Sequence, residues 1–164
     1  MKTLENLAKI LFLFFAVVSL GLVTVSCSDD DEEEKTTLEK LINSAWHLQK
    51  FVEDDSAIYP EYENGYETNK LYTVIFYDNY SLTMRANPNW HDGTFSLNEK
   101  SNRMEIDITF SSQAMPTESE LKMIEALQQT DKIKFVGNKL RLYYDTNKYM
   151  EFEKINLNVW NSEK

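Results

Sequence analysis

Arg103 to Phe110 alternates strictly, setting Met104, Ile106, Ile108 and Phe110 against Arg103, Glu105, Asp107 and Thr109. Successive strand side chains point to opposite faces, whereas a helix would scatter those four apolar residues around its circumference. The octet therefore reads as a half-buried antiparallel strand, and it needs partners. The chain offers them. Trp46 to Val52 reads as the first strand, with Trp46, Leu48 and Val52 on one face and His47 on the other. Leu71 to Tyr77 is a β-branched and aromatic run that turns at Asp78-Asn79 into Tyr80 to Arg85. Gly93 to Leu97 is a shorter strand, with Phe95 and Leu97 inward. Lys132 to Val136 and Lys139 to Asp145 form a hairpin through Gly137-Asn138, and Tyr149 to Glu153 closes the set. Between Glu53 and Asn69 lies a long acidic loop. A helix over about residues 117–130 opens on Thr117 and Glu120, which match a capping box, and carries an apolar stripe of Leu121, Met123, Ile124 and Leu127. Short links make consecutive strands antiparallel neighbours. The expected fold is mainly β: a single small antiparallel β-barrel or tight sandwich of about eight strands, with one helix between the fifth and sixth.

Ahead of this domain, Lys2 and Lys9 precede an apolar run from Ile10 to Val25, somewhat short for a membrane span, that ends in small residues. That is the layout of a secretory signal peptide, here residues 1–26. Thr24-Val25-Ser26-Cys27 resembles a bacterial lipobox, with threonine in place of the commoner leucine and Ser26 keeping the small residue before the cysteine. The resemblance implies lipid on Cys27, the chain's one cysteine, and attachment to the outer membrane. Each buried methylene would contribute about 0.8 kcal/mol, so several acyl chains anchor stably where one does not. Ser28, Asp29, Asp30 and Asp31 resemble the export signal of surface lipoproteins in some Gram-negative bacteria, which implies the cell surface. Residues 27–37 otherwise read as a solvated acidic tether, and 38–164 as the β domain.

The chain carries a net charge of −10, and no Lys/Arg patch is visible along it, which argues against nucleic acid as a partner. His47 and His91 are the two histidines, without metal-ligand spacing, and a phosphate loop or nucleophile elbow is absent. Neither catalytic residues nor a cofactor is expected. Glu53, Asp54, Asp55, Glu61, Glu63 and Glu67 have the oxygen chemistry of a calcium site, but a solvated loop explains them more simply. Aromatic residues offer more. Trp90 stands beside Asn89 and His91 after Pro88, a flat ring with a polar rim, as a sugar platform requires. Tyr62 and Tyr66 in the long loop have the same chemistry. The competing expectation is that Trp90 plugs one end of the barrel. A glycan, a small ligand or an envelope protein are the partners this set suggests.

The leading Trp46-x-Leu48 strand, Asn89-Trp90-His91-Asp92-Gly93-Thr94-Phe95, the Glu120 to Leu127 helix and the closing Asn138-Lys139-Leu140-Arg141-Leu142-Tyr143 and Met150-Glu151-Phe152 resemble the META domain. That small envelope fold includes the heat-shock HslJ-like lipoproteins. In the family's Cys-Asn-x-x-x-Gly-x-Tyr motif, Asn89, Gly93 and Phe95 fit here, while Pro88 replaces the cysteine and removes its redox role. The resemblance implies an envelope location and a structural link to stress tolerance. Lipocalin-like lipoproteins share the opening Trp-x-Leu.

Overall fold

The structure, a computed structural model, describes residues 35–62, 71–86, 89–111 and 114–157. Cys27, Ser28, Asp29, Asp30, Asp31 and Tyr66 lie outside the described residues. A short helix, α1 (Thr37–Leu41), begins on a complete capping box: Thr36 Oγ1 accepts from Glu39 N–H, and Glu39 accepts from Thr36 N–H. The chain then enters β1 (Ser44–Glu53), which pairs along one edge with the last strand, β9 (Lys148–Ile155). The other edge of β1 is shared by β2 (Ser56–Ile58) and β3 (Thr73–Phe76). From β3 the sheet runs through β4 (Ser81–Arg85), β5 (Trp90–Asn98), β6 (Arg103–Thr109), β7 (Lys132–Val136) and β8 (Lys139–Asp145) to β9. All pairings are antiparallel, so the nine-stranded sheet returns to its first strand as a ring. The second helix, α2 (Glu118–Gln128), joins β6 to β7 and packs on β6 and β8. There the ring is thinnest, with one register pair, Arg103 with Lys132.

Alternation decides what fills the ring. Met104, Ile106 and Ile108 of β6 face inward with Leu82 and Met84 of β4, Phe95 of β5, and Leu140 and Leu142 of β8. Met123, Ile124 and Leu127 of α2 join that cluster, whereas Leu121 is 48% exposed and does not belong to the buried stripe expected of it. Phe76 meets Phe95 edge to face at 5.2 Å, a favoured aromatic geometry.

Several expectations shift. β1 carries a bulge: Leu48 faces Phe152 and Lys50 faces Glu151, so Gln49 is an extra residue. The bulge reverses the phase, and Phe51 joins Trp46 and Leu48 in the core instead of Val52. The acidic loop starts with a tight hairpin, because Asp54 and Asp55 both adopt positive φ (47° and 66°) and return the chain as β2. That raises the strand count to nine and places the helix after the sixth. β5 begins at Trp90, so Trp90, His91 and Asp92 belong to a strand where a loop was expected. Gly93 in that strand lies so close to the Asp107 carbonyl oxygen that a Cβ would collide with backbone.

Candidate ligand-binding site

The start of β5 is held from inside. Asn89 imitates a strand partner: its Oδ1 accepts from Ala114 N–H at 3.0 Å, and its Nδ2 donates to the Ala114 carbonyl at 3.1 Å. The same Nδ2 lies 2.9 and 3.2 Å from the two carboxylate oxygens of Glu120. Two residues on, His91 Nδ1 accepts from Ser111 N–H at 3.1 Å. That contact leaves the ring proton on Nε2, which donates to Glu120 Oε1 at 2.8 Å. The side chains of His91 and Glu120 are wholly buried. Glu120 thus does half of what its capping position predicts. Its N–H donates to Thr117 Oγ1, but its carboxylate turns inward to the strand, unlike Glu39 in α1. At the amino end of α2, the unpaired amides of the first turn favour a carboxylate.

This cluster has the chemistry of an acid/base pair but is sealed from solvent, so it works as a clamp. It ties α2, the segment around Ala114 and the first residues of β5 together. Among the described residues, no buried side-chain nitrogen or oxygen lacks a hydrogen-bond partner. A group of acidic, histidine or cysteine side chains able to hold a metal ion is also absent among them.

Alternation sends Trp90 the opposite way from its neighbours Asn89 and His91. Its ring is 48% exposed, with the Arg85 guanidinium carbon 5.2 Å from the ring centre, at cation–π distance. Arg85 is the register partner of Trp90. Two register pairs further along, on the same face, Thr83 Oγ1 donates to Asp92 at 3.0 Å. Thr94, Asp107 and Thr109 extend the same outer face. An apolar ring next to hydroxyls and carboxylates is the surface that a polyhydroxylated ligand can both stack on and bond to.

Tyr62 reaches the same face. Register runs from Trp90 through Arg85 and Thr73 to His47, three strand spacings or about 14 Å. The Tyr62 ring lies nearly parallel to His47 at 6.5 Å and edge-on to Tyr72 at 5.6 Å. Burial beneath it lowers the His47 pKa, with Glu153 acting weakly in the other direction. Tyr72 Oη donates to the Glu61 carbonyl at 2.9 Å and lies 3.2 Å from Thr117 Oγ1, which ties the Tyr62 segment to the start of α2.

A shallow groove between α2 and the ends of β1, β8 and β9 leaves no mark in the residue pattern. On its floor Glu53 takes Lys122 at 2.9 Å and the Tyr144 hydroxyl at 3.0 Å. The Lys122 contact holds the Glu53 carboxyl below its usual pKa, while burial first and then Glu53 push the Tyr144 phenol well up. Glu63 and Glu67 lie outside the described residues; the described acids of the loop are dispersed rather than gathered, as Glu53 faces Lys122, Asp54 and Asp55 make the turn, and Glu61 is held through its backbone by Ser119.

No family model matches the chain, and no curated protein matches it. Among solved structures it is similar to a DUF4847 family protein from Bacteroides vulgatus ATCC 8482, at 19% sequence identity and a TM-score of 0.55. The match covers 69% of this chain and 93% of that one. At that identity the likeness is one of fold.

Proposed function

We propose that this chain is an outer-membrane lipoprotein, anchored through Cys27 and exposed at the cell surface, whose β domain binds without catalysing. Its ligand is a glycan, a small molecule or an envelope protein that seats against Trp90. The observation that carries this reading is Trp90 itself: a large ring left half-exposed while the clamp beneath it is fully buried and the Arg85 guanidinium braces its face. A ring held so firmly costs little further side-chain entropy on binding. A panel of soluble glycans and small hydrophobes in a thermal-shift assay tests it. A ligand that binds the native state alone raises the melting temperature saturably. The shift is expected to vanish in Trp90→Ala, and a flat response to the whole panel would reject the reading.

One observation favours a second reading, a structural envelope protein of the META type. The ring interior is filled by Phe76, Phe95, Met84, Leu140 and Phe152, which are buried in one cluster among the described residues. A packed interior favours outer-surface contacts or a purely structural role over ligand storage. For the anchor, protease added to intact cells should remove the domain, and Cys27→Ser should release it from the membrane fraction. Among the described residues no helix is long and apolar enough to cross a membrane.

A further inference from the structure

Glu151 of β9 points outward yet is 2% exposed, because three cations close over it. Arg141 meets Oε2 with Nε at 2.9 Å and Nη2 at 2.7 Å, Lys139 meets Oε1 at 3.0 Å, and Lys50 approaches Oε1 at 3.5 Å. Glu151 and Glu153, the register partner of Lys139, together still leave the three cations a surplus of positive charge at the surface. The cluster is also ordered. The guanidinium of Arg141 has one edge on Glu151 and its face 4.7 Å from the centre of the Tyr149 ring, and it also hydrogen-bonds the Tyr143 side chain.

Cross-strand register extends the cluster into a track. Lys134, Arg141, Glu151 and Lys50 are successive partners on β7, β8, β9 and β1 and share the outer face. Strand spacing makes that row about 14 Å long. The next row holds Lys132, Tyr143, Tyr149 and Val52, with the two tyrosine rings 5.1 Å apart. A cationic row thus runs beside an aromatic and apolar one, on a chain whose net charge is −10.

We propose that this face is a second binding surface, which takes a linear polysaccharide bearing carboxylate groups. The cations receive the carboxylates, and the tyrosine row takes the apolar faces of the sugar rings. Charge density selects this occupant. Duplex DNA carries one charge per about 1.7 Å of its axis, and a chain of this net acidity repels so dense a polyanion beyond the patch itself. An extended anionic membrane presents the same difficulty. A uronic acid polymer, with one charge per sugar, can meet the track without crowding charge against the acidic remainder. The face lies on the arc of the ring opposite Trp90, so its failure and that of the Trp90 reading are separable.

The test is direct binding of the purified protein to polygalacturonate, with dextran, a DNA duplex and phosphatidylglycerol vesicles as the other arms. Polygalacturonate should bind, weakening as salt rises, and dextran should not. Lys139→Gln should weaken binding about fivefold, the weight of one exposed ion pair, while Lys100→Gln, which removes the same charge from the β5–β6 turn, should leave it unchanged. Arg141→Lys keeps the charge but loses the fork on Glu151, and should bind less tightly. Equal loss in Lys139→Gln and Lys100→Gln would reduce the effect to net charge and overturn the proposal. So would binding to DNA or vesicles as tight as to polygalacturonate, or no binding to polygalacturonate at all.

Discussion

Two arcs of the same ring present opposite chemistry. The outer face of β4, β5 and β6 carries hydroxyls and carboxylates (Thr83, Thr94, Thr109, Asp92, Asp107) with Trp90 and Arg85 at one end. Across the ring, the outer face of β7, β8, β9 and β1 carries Lys132, Lys134, Lys139, Arg141 and Lys50 around Glu151, with tyrosines between them. Inward, both arcs supply the same kind of residue: Leu82, Met84 and Phe95 on one, Leu140, Leu142 and Phe152 on the other. Because a strand separates its faces residue by residue, the interior can be kept uniform while the exterior diverges. The arcs also differ in support. Trp90 is braced by a buried clamp reaching from a helix, whereas the cations are organised on the surface by one carboxylate.

That difference predicts a ranking of effects. The largest should come from the clamp: His91→Ala leaves Glu120 buried without its main partner, at a cost of about 3–5 kcal/mol. Urea denaturation measures it, and a loss below about 1 kcal/mol would mean that the clamp does not brace the arc. Gly93→Ala should follow, at about 1–3 kcal/mol, because the added methyl meets the Asp107 carbonyl across the β5–β6 pair.

On the opposite arc the expectation concerns pH. Burial opposes the Glu151 charge, but Lys139 and Arg141 outweigh it and hold the carboxyl below the usual range. A depressed carboxyl pKa contributes stability above the unfolded value, which is lost as pH falls through the folded one. Wild type and Glu151→Gln should therefore differ at neutral pH and converge in acid. His47 works on the histidine range with a pKa also lowered, mainly by burial. Its unfolded form binds a proton first as pH falls, so stability should decline below about pH 6.5. His47→Gln should flatten that decline, and a curve parallel to wild type would remove His47 as its source. The smallest stability change should be that of Trp90→Ala, about 1 kcal/mol from the buried half of the ring and its contact with Arg85, although ligand binding should be lost.

How much of this could be read from the chain depended on whether the signal was local. The alternation of Arg103 to Phe110 gave β6 with Met104, Ile106 and Ile108 inward, but Phe110, expected with them, lies past the end of the strand and is 53% exposed; Thr117 marked the N-cap of α2. Phase after Gln49 could not be read, because an inserted bulge residue leaves no mark in the hydrophobic pattern and the expected inward Val52 gave way to Phe51. The two-residue turn at Asp54-Asp55 was hidden in an acidic run that looked like a solvated loop. His91 and Glu120 are 29 residues apart, and the capping signature gave Glu120 a purely local role. The basic face was missed for a similar reason. Lys132-x-Lys134 and Lys139-x-Arg141 read as the wet sides of two ordinary strands, and only the ring brings Lys50 beside them.

Binding at Trp90 is tested most directly by a chemical-shift map of the backbone amides and the Trp90 indole N–H while the glycan panel is titrated in. Saturable shifts centred on Trp90, Arg85, Thr83 and Asp92 are expected. Shifts confined to the Glu53, Lys122 and Tyr144 groove, or none at any site, would contradict binding at Trp90.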